Sequence, residues 1–337
     1  MPQHLIWHKW QSYFTWLSGA ALLMIVYWAG GELFLLDPTK ADLTLIQGIL
    51  ISGGSLMIGW ICYDFMCKSK LGEHPTLLML LLFVILIAMS WGYNEIFTGR
   101  AALLHLGAFT ATIMTANVFF IIMPNQRIVV KDLQEGRTPD AKYGKIAKLR
   151  STHNNYLTLP VIFLMLSNHY PLSFGTEYSW IIASLVFLTG VTIRHYFNTM
   201  HATGKGPHWT WGVTIMLMLI IAWLSTAGPT ETVEEAGLRP LTAVEQQYAS
   251  ADGFEAAYDT VLGNCSMCHA REPFWNNMQW APKGVYLETQ ADVARYADQI
   301  YLHAGLSRAM PPPNAIQMSD EARATIVAWI REVRTGS

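Results

Sequence analysis

Apolar residues fill the first two thirds of the chain in long runs separated by short polar connections. Runs long enough to cross a bilayer, each needing about 20 residues, fall at 13–36, 43–65, 75–93, 101–124, 153–173, 178–200 and 208–228. The pattern predicts an all-α fold, a polytopic membrane helix bundle of about seven spans over residues 1–228. The stretch AGPTETVEEAGLRPL, residues 227–241, interrupts it with Gly228, Pro229, Gly237 and Pro240 and adds Glu231, Glu234 and Glu235, so 229–241 reads as a linker. Residues 242–337 return to ordinary polar composition and predict helices before Cys265, near 290–304 and near 319–334. Thr289 with Asp292 three residues on opens the middle one.

Composition agrees with a membrane protein carrying a soluble appendage. Of 337 residues, 52% are hydrophobic and only 14% charged, against about a quarter charged in soluble domains. Positive charge is retained on the cytoplasmic side of short connections. With the N-terminus inside, those connections hold eleven cations: Lys9, Lys68, Lys70, Arg127, Lys131, Arg137, Lys142, Lys145, Lys148, Arg150 and Lys205. The opposite connections hold two, Lys40 and Arg100. Seven crossings then leave residues 242–337 outside, in the periplasm of a bacterial inner membrane. The first run is too long for a signal peptide and lacks a small-residue cleavage site, so it reads as a retained helix.

The motif CSMCH, Cys265 to His269, has the Cys-x-x-Cys-His form that attaches haem c. Cys265 and Cys268 would form the thioethers and His269 would supply one axial nitrogen. A zinc site needs a second ligand pair at suitable spacing, and none follows Cys268. For the sixth ligand the run AMPPPN offers Met310, stiffened by Pro311, Pro312 and Pro313, with Met278 and Met318 as competitors. With the helix order above, the C-terminal segment reads as a class I cytochrome c domain, and the chain as one that moves electrons.

Ionisable and amide groups at membrane depth are costly and tend to mark pathways, cofactors or structural contacts. An outer layer holds Glu32, Asn94, Glu95, His105 and His169; an inner layer holds Asn125, Gln126, Arg127, His153, Asn154, Asn155, Arg194, His195, His201 and His208. Histidines at matching depth are what a membrane haem b would need. His105 with His169 would form an outer pair, and His153 with His195 or His201 an inner one. The competing reading is that each histidine caps a helix end or glues helices through hydrogen bonds. Cys62 and Cys67 read as small reduced side chains without a metal role.

Three stretches resemble one known family: HNNYLTLPVIFLMLSNHYP, RAALLHLGAFTATIMTANVFFIIMPNQR, and NNMQWAPKGVYLET followed by AMPPPNA. They look like the PuuD-type urate hydroxylases, bacterial membrane proteins fused to a C-terminal periplasmic cytochrome c. The resemblance implies oxidation of urate to 5-hydroxyisourate, with electrons leaving through the haem to a respiratory acceptor, a cytochrome c or terminal oxidase. It carries the haem roles onto Cys265, Cys268, His269 and Met310. The chain opens at MPQHLIWHKW, which looks like the family's interior. The resemblance implies a further N-terminal hydrophobic segment, so the sequence reads as truncated, as split with a partner subunit that supplies the segment, or as a shortened natural variant.

Urate near neutral pH is an electron-rich planar monoanion, and losing two electrons makes it an electrophile that water attacks. A site for it wants an Arg for the anion, a His to take a proton and amides for the purine edges. Arg127 or Arg194, His153 or His195, and Asn154 with Asn155 fill those roles at one depth. A hydrocarbon layer about 30 Å thick would then separate an inner site from an outer haem, which is the argument for a bridging haem b. The rival function is a membrane-anchored electron-transfer subunit with no organic substrate, for which urate-dependent haem reduction discriminates. Membrane lipid is the surrounding partner. Nucleic acid is not a partner: the net charge is −2 and topology accounts for the one basic cluster.

Overall fold

The structure is a computed structural model and describes residues 5–37, 40–176, 178–226, 240–275, 278, 281–312 and 316–336. The chain divides into two compact units, Met1–Gly228 and Pro229–Ser337. Most of the expected linker, and Pro313 of the proline run, lie outside the described residues.

The first unit consists of long helices. They are α1 (Leu5–Leu23, carried on by a π turn Met24–Trp28), α2 (Leu45–Lys68), α3 (Pro75–Ile96) and α4 (Gly99–Ala116). A π segment, Asn117–Ile122, joins α4 to α5 (Met123–Gln134); α6 (Ala141–Leu166), α7 (Ser179–Thr203) and α8 (Trp209–Thr226) complete the unit. Among the described residues, five helical stretches are long and apolar enough to cross a membrane: Leu45–Lys68, Pro75–Ile96, Gly99–Gln134, Ser179–Thr203 and Trp209–Thr226. The expected first and fifth spans fall on α1 and α6, which do not reach that measure. The opening turns of α6 are polar, with Lys142, Lys145, Lys148 and Arg150.

Three boundaries differ from the sequence reading. The first helix begins and ends earlier, at Trp28, because the chain turns at Gly30 and Gly31, where a Cβ on Gly31 would strike Leu45. The fourth continues to Gln134 beyond its apolar stretch. The fifth starts at Ala141, where the Asp140 carboxylate caps the Lys142 N–H at 2.8 Å, and stops at Ser167 before Pro171.

Packing centres on α4. Gly59 of α2 leaves room for Phe109, and Gly107 lies against Leu164 of α6. Pro160 of α6 is accommodated by Gly190 of α7, where an added Cβ would come within 2.5 Å of the proline ring. Small residues at such crossings are how membrane helices approach closely. The outward faces carry exposed Leu50, Ile61 and Phe65 on α2, Leu80 and Trp91 on α3, and Leu219 and Trp223 on α8, a surface suited to lipid.

The second unit contains α9 (Ala243–Ala249), α10 (Phe254–His269), α11 (Gln290–Arg295), α12 (Ala297–Ile300, extended by a π turn Tyr301–Leu306) and α13 (Asp320–Gly336). Its core forms around Trp329, fully buried, with Phe254 and Tyr248 against the indole and the Trp329 N–H donating to the Tyr248 carbonyl at 2.9 Å. The capping box expected at Thr289 is present, with Asp292 as its partner.

Candidate functional site

Inside the first unit, α2, the π segment and α6 bring six polar side chains into one bonded cluster. Its origin is partly a proline. Pro124 has no N–H to return to the preceding turn, and the helix there widens, the Met123 N–H reaching back to the Val118 carbonyl. Such π segments often occur at functional sites. Asn117 opens the segment and is fully buried.

The Arg150 guanidinium of α6 donates to Asn117 Oδ1 at 3.1 Å and to the Asp64 carboxylate of α2 at 2.6 Å. Its plane lies 4.9 Å from the centre of the Tyr63 ring. Asn117 Nδ2 donates to the Tyr63 hydroxyl at 3.2 Å and to Asn154 Oδ1 at 3.0 Å. The Tyr63 hydroxyl meets His153 Nδ1 at 2.7 Å. Asp64 reaches the surface through Lys68, 2.6 Å away. His153 is buried, and its Nε2 has no hydrogen-bond partner among the described residues. The cluster therefore combines a buried cation, a fixed imidazole and oriented amides, the donor types that recognise a planar anion.

A family model described as urate oxidase N-terminal matches residues 1–225. The chain belongs to the urate oxidase N-terminal family. Membership places it among urate-related oxidoreductases, and the matched residues contain the whole cluster. The comparisons with curated proteins and with solved structures gave no significant match.

In this urate oxidase-family unit the expected inner layer is split. His153 and Asn154 join the cluster. Asn155 instead accepts from Asn198 Nδ2 at 2.9 Å, and His195 Nδ1 lies 3.3 Å from the Tyr156 hydroxyl with its ring against Trp209, so both belong to the seam between α6 and α7 and α8. Arg127 is exposed on α5. Arg194 is half-buried, with an Nε that has no partner among the described residues. Reasoning from the sequence missed Tyr63, Asp64, Asn117 and Arg150 as site residues. Asp64 carried a signal, as the one acidic residue within the run 43–65. In the sequence Arg150 reads as a connection charge at the start of a polar stretch.

The outer layer is organised differently. His105 is fully buried, its Nδ1–H donating to the Ala101 carbonyl at 2.7 Å, so Nε2 accepts from the Ser52 hydroxyl at 2.8 Å. Ser52 accepts in turn from the Trp28 indole at 2.9 Å. Both ring nitrogens are engaged, and ligating an iron would break one of these bonds. His169 lies in an exposed turn, and no bond or ring contact joins it to His105 among the described residues. Among the described residues, no hydrogen bond or ring contact joins His153 to His195 or the exposed His201.

In the second unit, Cys265, Cys268 and His269 occupy the last turns of α10. Both thiols are free, and burial pushes the Cys265 thiol up to about 11 and the Cys268 thiol up as well. His269 Nδ1–H donates to the Val285 carbonyl at 2.9 Å, which fixes the ring and leaves Nε2 available to a metal. Met310 is 41% exposed, on a backbone held by the Arg323 guanidinium at 3.0 Å and by its own N–H donating to the His303 carbonyl at 2.9 Å. Met318 is packed in the core at 8%. The donor set fits a haem c: two adjacent thiols, an oriented imidazole and an accessible thioether.

Proposed function

We propose that this protein oxidises urate to 5-hydroxyisourate in its membrane unit and delivers the electrons to a haem c held by Cys265, Cys268, His269 and Met310. The observation that carries the reading is the buried Arg150–Asn117–Tyr63–His153 cluster inside the family-matched residues. The two cysteines would anchor the haem, His269 would ligate it, and Met310 would complete the iron. When bound, the haem supplies a one-electron acceptor whose potential the Met/His pair raises. A haem b in the membrane unit would relay the electrons across the hydrocarbon layer, about 30 Å thick, that separates the inner cluster from the haem c.

Taking two electrons from the urate monoanion and adding water releases one proton, so the site must hold an anion and part with a proton. Arg150, paired with Asp64 at 2.6 Å, holds the Asn117 amide in place, and Asn154 can read a purine edge. Arg194, whose buried Nε has no partner among the described residues, is the cation for the anion. In this reading α1 and α6 also cross the membrane, the N-terminus is cytoplasmic, and the haem unit stands in the periplasm of a bacterial inner membrane. A respiratory cytochrome c or terminal oxidase then receives the electrons.

The test is anaerobic turnover. Purified, haem-loaded protein with a soluble one-electron acceptor should consume urate and reduce two acceptors per urate without forming peroxide. Absence of urate loss, with the haem still reducible by dithionite, overturns the proposal and favours an electron-transfer subunit.

A further inference from the structure

Arg150, Asn117, Tyr63 and His153 form a chain whose hydrogen-bond directions can be assigned from one end. A guanidinium has donors only, so the oxygen of Asn117 must face Arg150, at 3.1 Å. The amide nitrogen of Asn117 is then the atom facing the Tyr63 hydroxyl at 3.2 Å, and that oxygen accepts. A phenol has a single proton, and with its oxygen accepting from Asn117 that proton is free for His153 Nδ1 at 2.7 Å. The Cys67 thiol, one turn along α2, is the competing acceptor for it, but thiol sulfur is a weak acceptor beside an imidazole nitrogen. A neutral imidazole that accepts at Nδ1 carries its proton on Nε2.

We propose that this chain fixes His153 as the Nε2–H tautomer, so that it offers the substrate a hydrogen-bond donor rather than a base. The inference rests on the reading that urate binds in the membrane unit. It corrects the proton-accepting role expected for His153. It also explains the orphaned Nε2: the atom is buried, His153 is 1% exposed, and a buried donor without a partner needs an acceptor. A carbonyl oxygen of the urate anion, carrying delocalised negative charge, is that acceptor. Arg150, Asn117 and Tyr63 are positioning residues, acting on substrate through His153.

The tests separate a donor from a base. A glutamine can place an N–H near the position of Nε2 but cannot take a proton. Binding of radiolabelled urate is measured on haem-loaded full-length protein reduced beforehand with dithionite, so that no turnover occurs. The His153→Gln variant should bind within about threefold of the parent, and His153→Leu about tenfold or more weakly, as expected for losing a hydrogen bond to a charged group. Tyr63→Phe should fall between them. Helicity and the haem spectrum establish that each variant is folded.

A second readout needs no variant. A donor imidazole keeps its Nε2–H on protonation, so kcat/KM of the parent should stay level from about pH 8 to pH 6, whereas a base would lose activity as it protonates. The titratable groups of its network are Tyr63, Asp64, Cys67 and Lys68 on α2 and Arg150 on α6. Equal losses in the Gln and Leu variants, no loss in the Leu variant, or a fall in kcat/KM toward pH 6 would overturn the donor role while leaving urate as substrate. Failure of the parent to bind urate overturns both.

Discussion

Replacing Asp64 by Asn should be the most destabilising conservative change in the membrane unit. The carboxylate neutralises Arg150 at 2.6 Å, and the Arg150 side chain is 3% exposed. Asn keeps the size and one acceptor oxygen but leaves a buried cation with neutral partners only. Two unit charges about 4 Å apart interact by about 4 kcal/mol at an effective dielectric constant near 20, and breaking a buried pair from one side costs about 3–5 kcal/mol. Lys68 also reaches Asp64, but its side chain is 65% exposed, so Lys68→Met should cost less than about 1 kcal/mol. Removing both charges of the buried pair, Asp64→Asn with Arg150→Met, should recover part of the loss, because no unpaired cation remains. At roughly 2–4 °C per kcal/mol for a unit of this size, Asp64→Asn lowers the unfolding midpoint by about 6–20 °C. Circular dichroism of the full chain in detergent reads it. A shift no larger than that of Lys68→Met would refute the reasoning.

Met310→Ala should leave the haem attached while lowering its potential and altering its spectrum, whereas Met318→Leu, at a core position, should leave both unchanged; redox titration distinguishes them. In protein made without haem, Cys265 should alkylate more slowly than an ordinary thiol at pH 8. Its raised pKa keeps the thiolate scarce, so its rate should climb about tenfold per pH unit until near pH 11; a rate that levels off by about pH 9 contradicts the burial argument. Gly190→Ala drives a methyl into Pro160 and should cost about 1–3 kcal/mol by overpacking, read as a lower unfolding midpoint.

The sequence carried the helices well where apolar length decided them, as in α2, α3, α7 and α8. It carried boundaries poorly where other forces set them: the Gly30–Gly31 turn cut the first helix short, and the Asp140 cap started α6 twelve residues before its apolar run. The candidate site was legible only by depth. Depth grouped His153 with His195 and Arg194, but helix rotation sends His153 toward Tyr63 and His195 toward Tyr156, and periodicity alone does not give that partner choice. Arg150 was hidden because a cation at a helix opening looks like a topological charge. Its burial follows from a tertiary partner, Asp64, 86 residues away along the chain.

The most direct test of urate oxidation through a covalent haem is an anaerobic optical titration of the purified, oxidised protein with urate. The c-type band should reduce without added mediator, and each urate consumed should reduce two haems. A haem that dithionite reduces and urate does not would contradict it.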